Sequence, residues 1–443
     1  MTVAAPASAR RRLNTPFMRR RRNGELALGL HVVIIVVGGY VLLALAQGTS
    51  LPPDLGVFLA EITGLYVVAN LAMRRLAPGA DGTLLPLVAL LNGIGFIVIT
   101  RLDATQGRVQ AVWTTLGVGT FVVTLAVVRD LRRLERYRYT CALLGIGFLL
   151  LPLLPSPVGL SINGARLWAR LGPISFQPGE VAKVLLVVFF AGYLVDKREL
   201  LASGGRRFGR LHFPEAKHLG PLLLVWSVSI LVLVFERDLG SSLLLFSVFA
   251  AMLYVATNRS VYLLGGAALF VAGTYAAYRM FGHVQDRFEI WTDPWKDPRG
   301  KGFQIVQSWF ALSAGRLDGL GLGKGIANIP ERSTDFIFAV IGEEMGLLGT
   351  LAVVIAFLLL IGAGLRIAID HPRAFEKLFA AGLTTILGVQ AFVIIGGVTR
   401  VIPLTGLTLP FVSYGGSSLV ANFALIALLA RLSDDAAQRE ARQ

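Results

Sequence analysis

The chain has very little of what disulfide-stabilised domains and zinc enzymes depend on. Cys141 is the only cysteine among 443 residues, so neither an intramolecular disulfide nor a cysteine metal site can form. The five histidines are scattered without metal-binding spacing, which argues against a zinc enzyme. Charged residues make up only 16% of the chain, fewer than soluble domains carry. The composition therefore argues against a soluble protein.

Apolar sequence is abundant instead. Hydrophobic residues make up 55% of the chain, and the 49 glycines suit close packing of helices in lipid. A helix needs about 20 apolar residues to cross a bilayer. The apolar runs predict an all-α fold, a polytopic membrane helical bundle whose spans are 27–47, 55–73, 84–100, 111–128, 139–155, 179–195, 219–235, 239–256, 261–281, 337–363, 378–398 and 409–431.

The formal net charge of +15 does not indicate nucleic-acid binding. Lysines and arginines cluster in alternate loops between the apolar runs, which is the pattern that fixes orientation in a membrane. With an even number of spans, it predicts a multi-pass protein of the cytoplasmic membrane with both termini in the cytoplasm. The basic arm, residues 1–26, is either a plain orientation signal or a segment that contacts anionic membrane lipids.

Two loops on the predicted outer side stand out, 156–178 and 282–336. Long ordered loops usually carry function. Within the second loop, apolar spacing predicts a helix over 303–316 that lies either at the membrane interface or packed on the bundle. The glycine-rich run 319–325 is not a phosphate-binding loop, because Ile326 stands where Ser or Thr is needed, and it is predicted to be a flexible turn.

Charged residues in or beside membrane spans are costly and are functional candidates. Glu180 and Lys183 share a helix face and form either a structural ion pair or a site that presents a cation to a substrate phosphate. Asp335 is expected to cap the helix that follows it or to face a cavity. The remaining candidates are Asp238, in a tight turn, and Glu343 and Glu344, at least one of which should face the bundle interior or a cavity.

Asp297 is the carboxylate of greatest interest. It lies in loop 282–336 between Trp295 and Pro298 and precedes flexible glycines. A carboxylate there can act as a general base on a bound hydroxyl. The more ordinary interpretation is a solvated turn aspartate.

Six ordered motifs are together far more specific than any one residue. They are Gly-Ala-Arg-x-Trp at 164–168, Phe-Gln-Pro-x-Glu-x-x-Lys at 176–183, Asp-Leu-Gly at 238–240, Trp-x-Asp-Pro-x-Gly-x-Gly-Phe-Gln at 295–304, Pro-Glu-Arg-x-Thr-Asp-Phe-Ile-Phe-Ala-x-x-Gly-Glu-Glu at 330–344 and Pro-Leu-Thr-Gly-x-x-x-Pro-Phe-x-Ser-Tyr-Gly-Gly-Ser-Ser at 403–418. Over residues 84–432 the chain resembles the SEDS family (shape, elongation, division and sporulation), and more closely its elongation members.

The resemblance implies a peptidoglycan glycosyltransferase that polymerises lipid II at the outer face of the cytoplasmic membrane, with a class B penicillin-binding protein as partner. It places the essential loop aspartate at Asp297 and the Glu-x-x-Lys pair at Glu180 and Lys183. Lys183 and Arg166 would stabilise the leaving pyrophosphate, with a divalent cation such as Mg²⁺ or Mn²⁺ as a further candidate. Ser417, in the last motif, joins the candidates for a structural or cavity-lining role.

The chain also departs from the family pattern. Arg400 stands where a glycine is usual, and Ser333 stands where a histidine is usual. Two spans precede the ten-span core, so the predicted organisation is a cytoplasmic arm at 1–26, two additional helices in 27–78, the core at 79–432 and a cytoplasmic tail at 433–443. Two other functions stay open: a lipid II flippase or other transporter, and a non-catalytic scaffold of the elongation or division machinery.

Overall fold

The computed structural model describes residues 16–46, 55–162, 165–172, 174–203, 206–208, 211–213 and 216–440. Helices dominate this part of the chain, as the apolar runs predicted. The helices are α1 (Pro16–Ala46), α2 (Leu55–Leu76), α3 (Leu84–Leu102), α4 (Ala104–Val127), α5 (Leu131–Arg136), α6 (Arg138–Leu150), α7 (Pro178–Ser203), α8 (Ala216–Phe235), α9 (Leu239–Thr257), α10 (Ser260–Met280), α11 (Gly282–Thr292), α12 (Phe303–Gly315), α13 (Ile337–Asp370), α14 (Ala374–Val398) and α15 (Gly416–Glu440).

The described helices confirm the predicted polytopic bundle. Ten of them are long and apolar enough to cross a membrane, and two shorter apolar helices, Arg138–Leu153 and Gly220–Phe235, match the remaining predicted spans. The helices α7, α14 and α15 pack at the centre of one continuous hydrophobic core. Many leucines and valines on the peripheral helices are exposed, as expected of side chains that face lipid rather than water.

Short strands, which were not predicted from the sequence, occur between the helices. The strands β1 (Gly159–Ile162), β2 (Ala165–Leu171) and β3 (Ile174–Phe176) form an antiparallel sheet in predicted loop 156–178. The strands β4 (Arg206–Phe208) and β5 (Leu211–Phe213) form a hairpin. All of them except β2 have only three or four residues, too few for a period of two to stand out among apolar helices.

The helix predicted at 303–316 is α12, and it packs on the bundle. Its buried side Ile305, Val306 and Ala311 meets α13. At the end of α12, a Cβ on Gly315 would lie 1.8 Å from the carbonyl oxygen of Gly342, so only glycine allows this close approach. The packed alternative is therefore the correct one.

The last span was placed too early in the sequence. It was predicted at 409–431, but α15 begins at Gly416 and continues to Glu440. Residues before it are non-helical, with Phe411 at a φ of 65° and the Ser413 hydroxyl accepting a hydrogen bond from the backbone N–H of Leu409 at 2.9 Å. The predicted tail, 433–443, is consequently helical as far as Glu440, and Asp434 is buried.

The first helix also begins earlier than predicted. α1 starts at Pro16, so the predicted arm 1–26 overlaps it, and Arg21 and Arg22 are helical. Arg21 pairs with Asp81 at 3.2 Å, and Arg22 pairs with Glu25 at 2.5 Å. These two arginines are therefore bound by protein groups. The first fifteen residues of the arm lie outside the described residues.

The ion pair between Arg22 and Glu25 gives a test of how α1 is anchored. Both side chains are buried, so removing one leaves an uncompensated charge in the protein interior. We expect Arg22→Ala to lower the free energy of unfolding by about 3–5 kcal/mol. The exposed Arg75→Ala should change it by less than about 0.5 kcal/mol. Denaturation in mixed detergent micelles measures both, and equal effects would contradict the anchoring role.

Candidate functional site

Asp297 follows a short turn between α11 and α12. A 3-10 turn, Pro294–Lys296, leads into it. Its carboxylate is exposed and accepts hydrogen bonds from the backbone N–H groups of Gly300 and Lys301, both at 3.0 Å. The Gly302 N–H donates to the Asp297 carbonyl at 3.0 Å. The backbone of its own turn thus fixes the carboxylate while leaving it open to solvent.

Gly300 is required by this arrangement. A Cβ at that position would lie 2.2 Å from Asp297 Oδ2, much closer than atoms can approach without a clash. A side chain at 300 would therefore displace the carboxylate. The close approach of the Asp297 carboxylate therefore explains why the motif has glycine at position 300.

Asp297 lines an open cavity of about 190 Å³. The cavity also contains Lys296, which pairs with Glu289, and Lys301, whose Nζ lies 2.6 Å from Asp286 Oδ1. The carboxylates of Glu289 and Asp293 line the same cavity, so the positive charge of both lysines is offset by acidic neighbours. The site therefore offers a bound hydroxyl a carboxylate that can accept its proton.

Glu180 and Lys183 form a buried ion pair near the start of α7. Lys183 Nζ lies 2.6 Å from Glu180 Oε2 and donates to Gln390 Oε1 at 2.9 Å. The Gln390 amide donates in turn to the Thr408 carbonyl at 2.8 Å. This is the geometry of the structural ion pair, one of the two alternatives that the sequence left open. Contact of Lys183 with a substrate phosphate stays a prediction.

A second cavity, of about 40 Å³, lies next to this pair. Glu180, Glu236 and Asp238 line it, together with the backbone segment at Gly406. Burial, with a smaller contribution from Asp238, raises the pKa of Glu236 to about 9. Asp238 also caps α9, since its Oδ1 accepts from the Ser241 N–H at 2.8 Å. The cavity therefore concentrates carboxyl groups, of which Glu236 is protonated at neutral pH.

Asp335 does not cap α13, which corrects one of the two expectations for this residue. The cap position is Phe336, and no side chain caps it. Asp335 instead lies beside Gly406, where Arg287 also approaches, each 3.7 Å from the position of a Gly406 Cβ. Burial, reinforced by Glu331 and opposed by Arg287, raises the pKa of Asp335 to about 7.

Arg166 and Ser417 contact the central region only indirectly. The Arg166 side chain is exposed on β2, and its backbone N–H donates to the Glu236 carbonyl at 3.2 Å. Its neighbour Leu167 lines the cavity, and successive residues of a strand point to opposite faces, so the guanidinium points away. The Ser417 hydroxyl accepts from the Gln177 N–H at 3.0 Å, which ties the start of α7 to α15.

Glu343 and Glu344 are both buried, where at least one was predicted to be, and they bind the glycine-rich segment. Glu343 Oε1 accepts from the N–H groups of Ile326 and Ala327, both at 2.9 Å. Glu344 Oε2 accepts from the Gly323 N–H at 2.9 Å. The run 319–325, predicted to be a flexible turn, is therefore held by charged acceptors of α13.

Three polar residues in this region were not predicted from the sequence to be functional candidates. Arg101 pairs with Glu344 at 2.7 Å, Arg287 donates to the Leu404 carbonyl at 2.6 Å, and Gln390 joins Lys183 to Thr408. Gln390 could have been noticed as an amide inside an apolar run. Arg101 and Arg287 carry no local signal, because their partners are distant in sequence.

The structure does not supply a protein-bound metal centre. No group of three or more His, Cys, Asp or Glu side chains among the described residues is placed to hold a metal ion. Mg²⁺ is commonly bound through one or two carboxylates together with substrate phosphates, which such a search does not test. The divalent cation expected from the sequence stays a prediction.

The described helices form a multi-pass membrane bundle. An open carboxylate site lies at one end of it, with a buried polar cluster beneath. Together they define a multi-pass membrane protein with a candidate catalytic loop. Residues 82–438 match the profile of the FtsW/RodA/SpoVE family, described as cell cycle proteins. The chain belongs to this family.

Similar proteins carry consistent names. The chain is 44% identical over 434 residues to the peptidoglycan glycosyltransferase RodA of Mycobacterium tuberculosis, covering 95% of this chain and 92% of that protein. It is 34% identical over 327 residues to a probable peptidoglycan glycosyltransferase FtsW of Geobacter metallireducens, covering 73% of this chain and 84% of that protein.

A solved structure supports the same relationship. A chain from work on the structural coordination of polymerization and crosslinking by a peptidoglycan synthase complex superposes with a TM-score of 0.66 at 31% identity. The match covers 81% of this chain and 98% of that chain.

The raised pKa of Glu236 predicts how stability depends on pH. The unfolded chain releases this proton near 4.5 and the folded protein near 9, so stability falls as pH rises between these values. We expect Glu236→Gln to abolish this loss and to melt at a higher temperature than wild type at pH 8, with little difference at pH 5. The exposed Asp318→Asn is the control, and a Glu236→Gln variant less stable than wild type at pH 8 would contradict the assignment.

Proposed function

We propose that this chain is a peptidoglycan glycosyltransferase that polymerises lipid II during cell elongation. The observation that carries the proposal is the Asp297 carboxylate, held by backbone hydrogen bonds at the rim of an open cavity. Family membership and the names of the relatives supply the reaction class. Elongation rather than division is supported by the higher identity and coverage with RodA than with FtsW.

Asp297 acts as the general base in this proposal. The 4-hydroxyl of the acceptor sugar must lose a proton as its oxygen attacks the anomeric carbon of the donor, and the carboxylate accepts that proton. Direct displacement inverts the configuration at this carbon, as in inverting transfer at glycosidic bonds. The acceptor capacity that remains on Asp297 beyond its two N–H bonds is directed to solvent, where the hydroxyl would bind.

The leaving group is a lipid pyrophosphate, whose developing charge requires cations. Lys183 and Arg166 are the cations proposed for this role from the sequence. Lys296 and Lys301 line the cavity of Asp297 but are paired with Glu289 and Asp286, so they would stabilise a pyrophosphate only by exchanging these partners for it. A divalent cation would act as a counter-ion carried by the pyrophosphate.

The site is proposed to face the outer surface of the cytoplasmic membrane, with both termini in the cytoplasm. The positive charge of the loops on the opposite side supports this orientation. The partner is proposed to be a class B penicillin-binding protein that crosslinks the new strands. Its support is the likeness to a chain of a complex that couples polymerization to crosslinking.

The buried charges favour a lipid translocator as the second candidate. Glu180, Lys183, Asp238 and Asp335 lie within or at the ends of membrane helices, where transporters keep their ionisable groups. A translocator would not need a fixed carboxylate in a loop. Loss of the Asp297 carboxylate should therefore abolish activity only in a glycosyltransferase. A translocator or a non-catalytic scaffold would tolerate that loss.

Asp297→Asn should abolish polymerisation while leaving the fold intact, because the amide keeps the shape but cannot accept the proton. We expect the rate of glycan formation from lipid II to fall by about 10²–10⁴-fold. The matched control is Asp318→Asn, another exposed aspartate of loop 282–336. Purified protein is assayed with and without a class B penicillin-binding protein, with polymer length read on gels.

Three outcomes distinguish the functions. Polymer from wild type and from Asp318→Asn, but not from Asp297→Asn, supports the glycosyltransferase. No polymer from partnered wild type, together with movement of lipid II across vesicles, would replace it with the translocator. Neither activity, with the partner still bound, would leave the scaffold.

Gly300→Ala tests whether the position of the carboxylate, and not only its presence, matters. The added methyl group would meet Asp297 Oδ2 and turn it away from the acceptor. We expect kcat to fall by about a hundredfold with KM little changed. Gly282→Ala is the control, since a Cβ there meets nothing within 4 Å. Equal activity of the two variants would show that the observed orientation is not the productive one.

A further inference from the structure

Arg400 occupies a backbone position that favours glycine. It follows α14 in a Schellman turn, in which the Val401 N–H donates to the Gly396 carbonyl at 2.7 Å and the Arg400 N–H to the Gly397 carbonyl at 3.3 Å. The φ of Arg400 is 63°, in the left-handed region. A residue with a large side chain is disfavoured here, so its contacts must offset the strain.

The Arg400 side chain holds the end of the helix that leads to Asp297. Its Nε donates to the Trp291 carbonyl at 2.6 Å, and its Nη2 donates to the Thr292 carbonyl. These are the last two carbonyls of α11, which have no partner within the helix. The Trp291 indole N–H returns a hydrogen bond to the Arg400 carbonyl at 3.2 Å. A cation at this helix terminus also interacts favourably with the helix dipole.

The same guanidinium contacts the segment that follows Asp297. It lies over the Trp309 ring of α12, with Cζ 5.2 Å from the ring centroid. The Trp309 ring is 6.5 Å, between centroids, from the Trp295 ring, two residues before Asp297. Arg400 therefore contacts both sides of the Asp297 turn, six and five residues before the aspartate and twelve residues after it.

We propose that Arg400 is a positioning residue that fixes the Asp297 turn from the connection between α14 and α15. The inference rests on the proposed function of Asp297. Lysine cannot replace arginine fully, because a compact ammonium group lacks the rigid planar fork that donates from separate nitrogens to two carbonyls while stacking on a ring. Glycine suits the backbone conformation at position 400 but removes every side-chain contact. Arg400→Gly therefore keeps the Schellman turn after α14 while removing the contacts with Trp291, Thr292 and Trp309.

The test compares Arg400→Gly and Arg400→Lys with Arg316→Gly. Arg316 is a matched control: it follows α12, has a φ of 49°, is exposed on the same loop, and its side chain has no hydrogen bond to the described residues. Two quantities are measured. One is hydrogen–deuterium exchange of peptides that contain Gly300 and Lys301, whose N–H groups bind Asp297. The other is the steady-state rate of polymerisation of lipid II.

We expect Arg400→Gly to exchange faster at 297–302 and to lose kcat by about a hundredfold with KM little changed. Arg400→Lys should recover part of both, and Arg316→Gly should match wild type. Unchanged exchange in Arg400→Gly, or the same change in Arg316→Gly, would overturn the proposal. Since the exchange measurement needs no activity, it decides the role of Arg400 even if wild type forms no polymer and the proposed function fails. Melting temperatures show that each variant is folded.

Discussion

A polar group inside a bilayer-spanning bundle must find its partners within the protein, and the central region of this structure follows from that requirement. Lys183 bonds to both Glu180 and Gln390, and the Gln390 amide reaches the Thr408 carbonyl. These contacts join α7, α14 and the segment before α15 at the middle of the core. Loss of one partner would leave the others unsatisfied at a cost of several kcal/mol. The polar chain therefore specifies how the central helices are arranged.

The same requirement explains why the loop between α12 and α13 has a fixed conformation. In this loop, Gly319 packs against the backbone of α13, and Gly325 packs against the side chains of Glu343 and Glu344. Glu343 and Glu344 provide buried acceptors for its N–H groups, and Arg101 neutralises Glu344. Carboxylates that looked like candidates for chemistry are thus used for structure. Asp297, by contrast, has only backbone donors from its own turn and is exposed, as a group that must meet a substrate should be.

The sequence could predict those features that depend on local composition. Apolar runs identified each membrane helix, and motif spacing placed Asp297, Glu180 and Lys183. Boundaries failed where tertiary contacts override the local pattern: residues 409–415 are apolar, yet they form a non-helical segment fixed by Ser413. The roles of Asp335 and Arg287 could not be predicted, because they depend on residues that are distant in the sequence and meet at Gly406. Long-range pairs of this kind leave no periodic signal in a single chain.

The connection between α14 and α15 links the two polar regions. At its start, Arg400 binds the end of α11 and the ring of Trp309, next to the Asp297 turn. A few residues later, Leu404 accepts from Arg287, and Thr408 accepts from Gln390, which also binds Lys183. The irregular backbone of residues 400–408 thus begins at Arg400, which holds the helix before Asp297, and ends at Thr408, which binds a partner of the buried ion pair. One non-helical segment therefore satisfies polar groups of both the membrane interior and the helices beside the proposed site of chemistry.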